Sequence, residues 1–187
     1  MATKTIGWGK CSIIVRDIDG GGNWIKVATP KEDTTSLETT AGDELTADIE
    51  GGDFEDIKFG PSSYELSFSI RTNTERKKPL TDVNGVISNH VAVFVQPENS
   101  ACPGVYIPYS MGHVEESFDT TDGGMWTYTF KALPSETYTQ KIFWATCSVD
   151  LLSVAEGTEY DTSALTLTNL EDSTTLTQIT ASEDTES

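Results

Sequence analysis

Read for the alternation of apolar and polar positions, the chain is nearly all strand. "KCSIIVRDID" (10–19) is a β-branched run, and "NWIKVAT" (23–29) follows after the glycines 20–22, which predicts a hairpin. "ELTADIE" (44–50) alternates cleanly, with Leu45, Ala47 and Ile49 on one face and Thr46, Asp48 and Glu50 on the other. "GGD" turns the chain into "FEDIKF" (54–59), where the alternation slips between Phe54 and the pair Ile57/Phe59. That slip predicts a bulge. "SYELSFSIR" (63–71) is the clearest strand: Tyr64, Leu66, Phe68 and Ile70 share one face. "MWTYTFKA" (125–132) answers it with Trp126, Tyr128 and Phe130, and these two rows are the expected core. "HVAVFVQ" (90–96), "GVYIPYS" (104–110) and "KIFWATCSV" (141–149) complete the set. "KKPLTDVNGVISN" (77–89) is the one stretch expected to hold a short helix, of about two turns.

Strands at this spacing, separated by turn signals, predict an all-β fold: a β-sandwich or partly closed barrel with one short flanking α-helix. The strand-rich region, 1–154, is expected to form the domain. From about Ala155 the composition turns to threonine, serine and eight acids. Residues 155–187 therefore read as an acidic extension, partly extended and frayed at its end, whose weak period of two suits strand addition to a neighbour. The connection from Lys31 to Asp43 reads as a polar loop, too polar for a core and long for a hairpin.

Charge changes this picture. Among 187 residues there are 30 acids and 12 bases, a net −18. Ten of the acids (Glu32, Asp33, Glu38, Asp43, Glu44, Asp48, Glu50, Asp53, Glu55, Asp56) fall between Glu32 and Ile57, with no base among them. This balance argues strongly against a protein that grips nucleic acid, because grip comes from lysine and arginine neutralising phosphates. Docking on an anionic membrane is disfavoured for the same reason. Three well-separated cysteines, Cys11, Cys102 and Cys147, argue for reduced thiols rather than a disulfide framework. The first ten residues contain no apolar leader core, and no run of 18 apolar residues occurs.

No reaction is named by the residues. His90 and His113 lack metal-ligand spacing. Glu115 and Glu116 are adjacent on a strand and point to opposite faces, so they cannot converge on a glycosidic bond. "RDIDGGGN" lacks the terminal glutamate of a calcium loop and reads as a hairpin turn. The expectation is a protein with no enzymatic activity, no metal and no cofactor. So many strands with so little helix leave sheet edges that need covering, and copies of the same chain are the expected cover.

The order of features over residues 30–150 resembles the major tail tube proteins of long-tailed bacteriophages and the related tubes of contractile injection machines. The segments that carry the resemblance are "PKEDTTSLETTAGDELTADIEGGDFEDIKFGPSSYELSFSIR" (30–71), "KKPLTDVNGVISNHVAVFVQPEN" (77–99) and "DGGMWTYTFKALP" (122–134). The family implies a structural virion protein, assembled in the bacterial host cytoplasm. Six copies would join their sheets into one ring barrel, and stacked rings would form the channel for DNA ejection. Implied partners are the chain itself, the tape measure, the terminator and a sheath, with DNA in transit and no membrane.

Within that resemblance, two sets of residues acquire roles. Lys31, Glu32, Asp33, Thr34, Thr35, Ser36, Leu37, Glu38, Thr39, Thr40, Ala41, Gly42 and Asp43 would form the loop that reaches the neighbouring ring rather than packing on their own domain. Thr46, Asp48, Glu50, Asp53, Glu55 and Glu65 would line the lumen, with Leu45, Ala47 and Ile49 on the sandwich core. Two other readings stay open on the residues alone. One is a cell-surface, adhesin-like β-sandwich binding module with a threonine-rich stalk; the other is an enzyme with a carboxylate site in the acidic hairpin.

Overall fold

The computed structural model describes residues 6–181. The expected fraying of the tail end (182–187), and the leaderless start insofar as it concerns residues 1–5, lie outside them. The described chain is all-β, as the alternation predicts. It contains β1 (Ser12–Asp17), β2 (Trp24–Lys26), β3 (Ser36–Thr40), β4 (Glu44–Asp48), β5 (Phe54–Phe59), β6 (Ser63–Arg71), β7 (Val91–Gln96), β8 (Gly104–Asp119), β9 (Gly123–Ala132), β10 (Phe143–Cys147), β11 (Glu159–Tyr160) and β12 (Leu167–Asn169). Ten strands form one antiparallel sheet in the order β11-β2-β1-β7-β8-β9-β6-β3, with β10 branching from β8 and β12 paired to β10. Among the described residues no closed barrel is formed: β3 and β11 are the two ends of the path.

Two cores share this sheet. The first packs Ile13, Val15, Val91 and Val93 against Leu66, Phe68, Ile70, Tyr128 and Phe130. The predicted rows of β6 and β9 are thus buried, with Tyr64 and Trp126 partly buried at their margin. Phe68 stacks on Tyr128 at 5.4 Å and on Phe130 at 6.1 Å. The second core lies on the other face of β1 and β7, where Ile14, Ala92 and Phe94 meet Trp24, Tyr106, Phe143, Leu165, Leu167 and Leu176. β1 and β7 are therefore covered on both sides, which explains why "SIIV" and "VAVFV" read as continuous apolar runs.

The second core depends on the C-terminal segment. β11 pairs with β2 and β12 with β10 inside the same chain, rather than the segment adding a strand to a neighbour. Arg16 Nη1 donates to the Ile179 carbonyl at 2.7 Å, and Trp24 Nε1 donates to Gln178 Oε1 at 2.6 Å. Tyr138 Oη donates to the Thr177 carbonyl at 3.1 Å. Residues up to Ile179 thus lie against the body and form no stalk.

One sequence expectation is corrected outright. No helix forms over 77–89; the helical content of the described residues is a single 3₁₀ turn, Leu151–Ser153. Instead Val83 and Val86 exchange backbone hydrogen bonds at 3.0 Å around Asn84 (φ 51°) and Gly85 (φ 82°). Positive φ at both central residues defines a tight I′-type reversal, and Asn-Gly is the pair that adopts it at least cost. The turn is held on β8, where the Val114 N–H donates to the Gly85 carbonyl at 2.8 Å.

Candidate functional site

The most distinctive feature is a ribbon in two halves. β3 pairs with β6, and directly beyond them β4 pairs with β5 as a separate two-stranded sheet. The joint lies at Gly42 and Gly60. The Gly60 N–H donates to the Asp43 carbonyl at 2.8 Å, and a Cβ on Gly42 would collide with the Gly60 carbonyl. A side chain is therefore barred at Gly42, and the two strands can approach there closely enough to change direction. Every residue of β4 and of β5 is exposed. At about 3.3 Å per residue, the six-residue β5 reaches about 20 Å beyond the body. We call residues 44–59 the arm.

The register of the arm decides what each face carries. Glu44 lies opposite Phe59, Thr46 opposite Ile57 and Asp48 opposite Phe54, while Leu45 faces Lys58 and Ala47 faces Asp56. Between Ala47 and Asp48 the register shifts, leaving Glu55 as the extra residue. This is the bulge expected from the sequence, and it has a definite effect. Without it Phe54 would point away from Ile57 and Phe59; with it all three stand in one row. Leu45 and Ala47 lie on the opposite face. Each face of the arm thus bears an apolar row from one strand beside a charged or polar row from the other.

The apolar rows are uncovered. Phe59 is 66% exposed, Leu45 63%, Phe54 55%, Ile49 47% and Ile57 44%. The expectation that Leu45, Ala47 and Ile49 lie on the sandwich core is therefore corrected. The ribbon leaves the body at its glycine joint before these residues are reached. An isolated two-stranded hairpin is marginal in water, so an arm apolar on both faces calls for a partner.

Among the lumen candidates, Thr46 and Asp48 share one face, Glu55 is the bulged residue, and Glu50 and Asp53 flank the Gly51–Gly52 tip. Glu65 is not with them: it lies on the body between Glu38 and Lys131, whose Nζ is 3.6 Å away. Among the described residues no ion pair involves any of the six arm carboxylates. The paired charges gather instead near the far end of β6. Asp122 meets Lys31 (3.0 Å) and Arg71 (2.9 Å), Arg76 meets Glu156 (2.6 Å), and Lys78 meets Asp82 (2.8 Å) and Glu116. The hydrogen bond from Lys78 holds the Asp82 carboxyl below its usual range, and Arg76 does the same for Glu156.

The segment 31–43 is corrected as well. It is built into its own domain rather than held off it. The Lys31 N–H donates to the Ser69 carbonyl at 2.8 Å, and Thr34 Oγ1 accepts from the Ser69 N–H at 3.2 Å. Ser36–Thr40 is strand β3, Leu37 packs on the first core, and Ser36 and Ser67 hydroxyls bond at 3.2 Å. Asp33 turns the chain at φ 60°. The outer edge of β3, where Glu38, Thr39 and Thr40 are exposed, has no strand beside it among the described residues.

Other candidate chemistry is absorbed by structure. His90 stacks on Tyr109 at 4.3 Å, and its Nδ1 lies 2.8 Å from Asp19 Oδ2. Asp17 accepts from the Gly20 N–H and from Asn89 Nδ2, each at 2.8 Å, so "RDIDGGG" is a turn that anchors the start of β7. Among the described residues, no three His, Cys, Asp or Glu side chains group as metal ligands, and no helix is long and apolar enough to cross a membrane. No protein-family model and no curated protein matches the chain.

Proposed function

We propose that this chain is a structural subunit that assembles with copies of itself into stacked rings, a tail-tube-like conduit for DNA. The observation that carries the reading is the arm: a two-stranded ribbon, apolar on both faces, projecting from a body whose own cores are complete. Its uncovered rows suit burial between copies. The open β3 edge suits strand pairing between neighbours, which would remove an aggregation-prone edge. The order of elements over 30–150 supports the same reading through its resemblance to tail tube proteins.

The charge fits a conduit. DNA carries about one negative charge per 1.7 Å of axis, and a basic wall would hold it. A wall bearing unpaired carboxylates such as Glu50, Asp53 and Glu55 would repel it over about 8 Å at physiological salt and keep it moving. A stalked binding module is less well supported, since residues 159–179 lie on the body. Sedimentation of the purified chain across protein concentration, followed by negative-stain electron microscopy, tests the proposal. Six-fold rings that stack are expected. A strict monomer at high protein and high salt overturns it.

A further inference from the structure

We infer that the arm row Phe54–Ile57–Phe59 of one copy inserts into an uncharged groove on the body of the next, so that copies join arm to seam rather than arm to arm. The inference rests on the self-assembly reading above and assigns the two surfaces that meet. The groove lies where the curled sheet brings β3 close to the opening of β8. Leu37, Leu66, Val95, Pro97, Val105 and Trp144 are among its lining, and its volume is ≈ 260 Å³. In a chain of net −18, no carboxylate, amine or guanidinium among the described residues lines it. It is smaller than the roughly 300 Å³ at which small-molecule sites begin, and it suits an aromatic or aliphatic side chain better than a cofactor.

Four observations select the arm of a second copy as the occupant. The bulge at Glu55 interrupts the pairing, yet its effect is to align three large apolar side chains that no described residue of their own chain covers. The arm runs outward from the far end of β3, away from the groove beside Thr35–Leu37, so it does not fill the groove of its own body. Arm-to-arm contact would oppose six carboxylates and one lysine with the same set, whereas the described lining of the groove carries no charge, with Glu98 beside Gly9 at its margin. The unpaired outer edge of β3 borders the groove and offers backbone groups to an incoming strand. Such a contact joins two different surfaces and so repeats without self-closure unless a ring closes it. Docked this way, Glu44 and Asp48 lie at the rim of the contact, while Glu50, Asp53 and Asp56 remain free to face a bore.

A double-mutant cycle on the full chain tests the assignment by sedimentation equilibrium, with circular dichroism melts confirming the fold. Phe59→Ser on the arm and Trp144→Ser in the groove should each weaken association at least about tenfold, as for buried aromatic anchors. The two together should weaken it little further, because they break one contact. Association unchanged by Phe59→Ser, or losses that multiply in the double variant, would overturn the assignment while leaving assembly itself intact. As a second readout, native Cys11 lines the groove. In Ile57→Cys, a short thiol cross-linker should join that cysteine to Cys11 of another copy, and the product should vanish in Cys11→Ser. A link confined to one chain, or none in associated protein, also rejects it. A wild-type chain that never associates removes the self-assembly reading first.

Discussion

Two buried tyrosines keep hydroxyls without partners. Tyr106 Oη in the second core and Tyr128 Oη in the first are fully enclosed and have no hydrogen-bond partner among the described residues. Burial pushes both phenols well above their usual range. An unsatisfied buried hydroxyl costs about 1–3 kcal/mol, and an apolar side chain of the same shape does not carry that cost. Tyr106→Phe and Tyr128→Phe are therefore expected to raise unfolding free energy by about 1 kcal/mol each in denaturant melts. A loss of stability instead would identify a partner for the hydroxyl in solution. The buried charges behave differently. Arg16, buried beneath the C-terminal segment, is satisfied by the Gly22 and Ile179 carbonyls, so Arg16→Met would strand two acceptors rather than relieve a strain.

At the scale of elements, the body and the arm are separable. The arm contributes no side chain to either core, and it meets the body at one glycine joint. Excising Glu44–Phe59 and closing Asp43 to Gly60 should leave the thermal midpoint within a few degrees of wild type while abolishing association, both read on the same preparation. A collapse of the fold would mean that the arm packs on its own body. Removing 33–41 is a different experiment, because it deletes β3 and the Thr34–Ser69 bonds.

The same division explains what the sequence discloses. β6 is legible to the residue because its two faces differ, one against a core and one not. β1 and β7 are legible as runs because both their faces are covered. β8 continues nine residues beyond the predicted Ser110 because its second half is defined by pairing with β9, a partner that local alternation does not reveal. The helix expected over 77–89 neglected Asn84-Gly85, a turn signal plainly present. For the candidate site, the bulge could be read from the slipped alternation, and the alternation along β4 itself was correct. The exposure of the arm could not be read, since alternation says which residues share a face and not whether a core lies beneath it.

On the scale of the whole molecule, electrostatics opposes what the surfaces promote. In the proposed ring, six copies at −18 each would carry −108, so association would have to rest on apolar burial and backbone pairing. Raising ionic strength is expected to tighten it, measured as a falling dissociation constant between low and physiological salt. A contact held by ion pairs would weaken instead. Stability also depends on pH. Asp82 and Glu156 have depressed values in the folded state, so their contribution to stability is fully present above the ordinary carboxyl range. It is lost as pH falls through their folded values. Folding stability should thus decline below about pH 4, near the unperturbed carboxyl values, as melting curves over a pH series would show.

The clasp between Arg16 and Ile179 spans 163 positions. During synthesis at roughly 5–20 residues per second, β1 waits about 8–30 s for the segment that covers its second face. Until then Trp24, Phe94 and Tyr106 have no lid, and the body cannot be finished. Translation thus reaches the arm early and completes the body that presents it late. A nascent chain thus exposes its ribbon well before its second core can close. In the proposed assembly, completion of the last strands would act as a timer, since the finished body would be available only once the C-terminal segment has emerged and locked down.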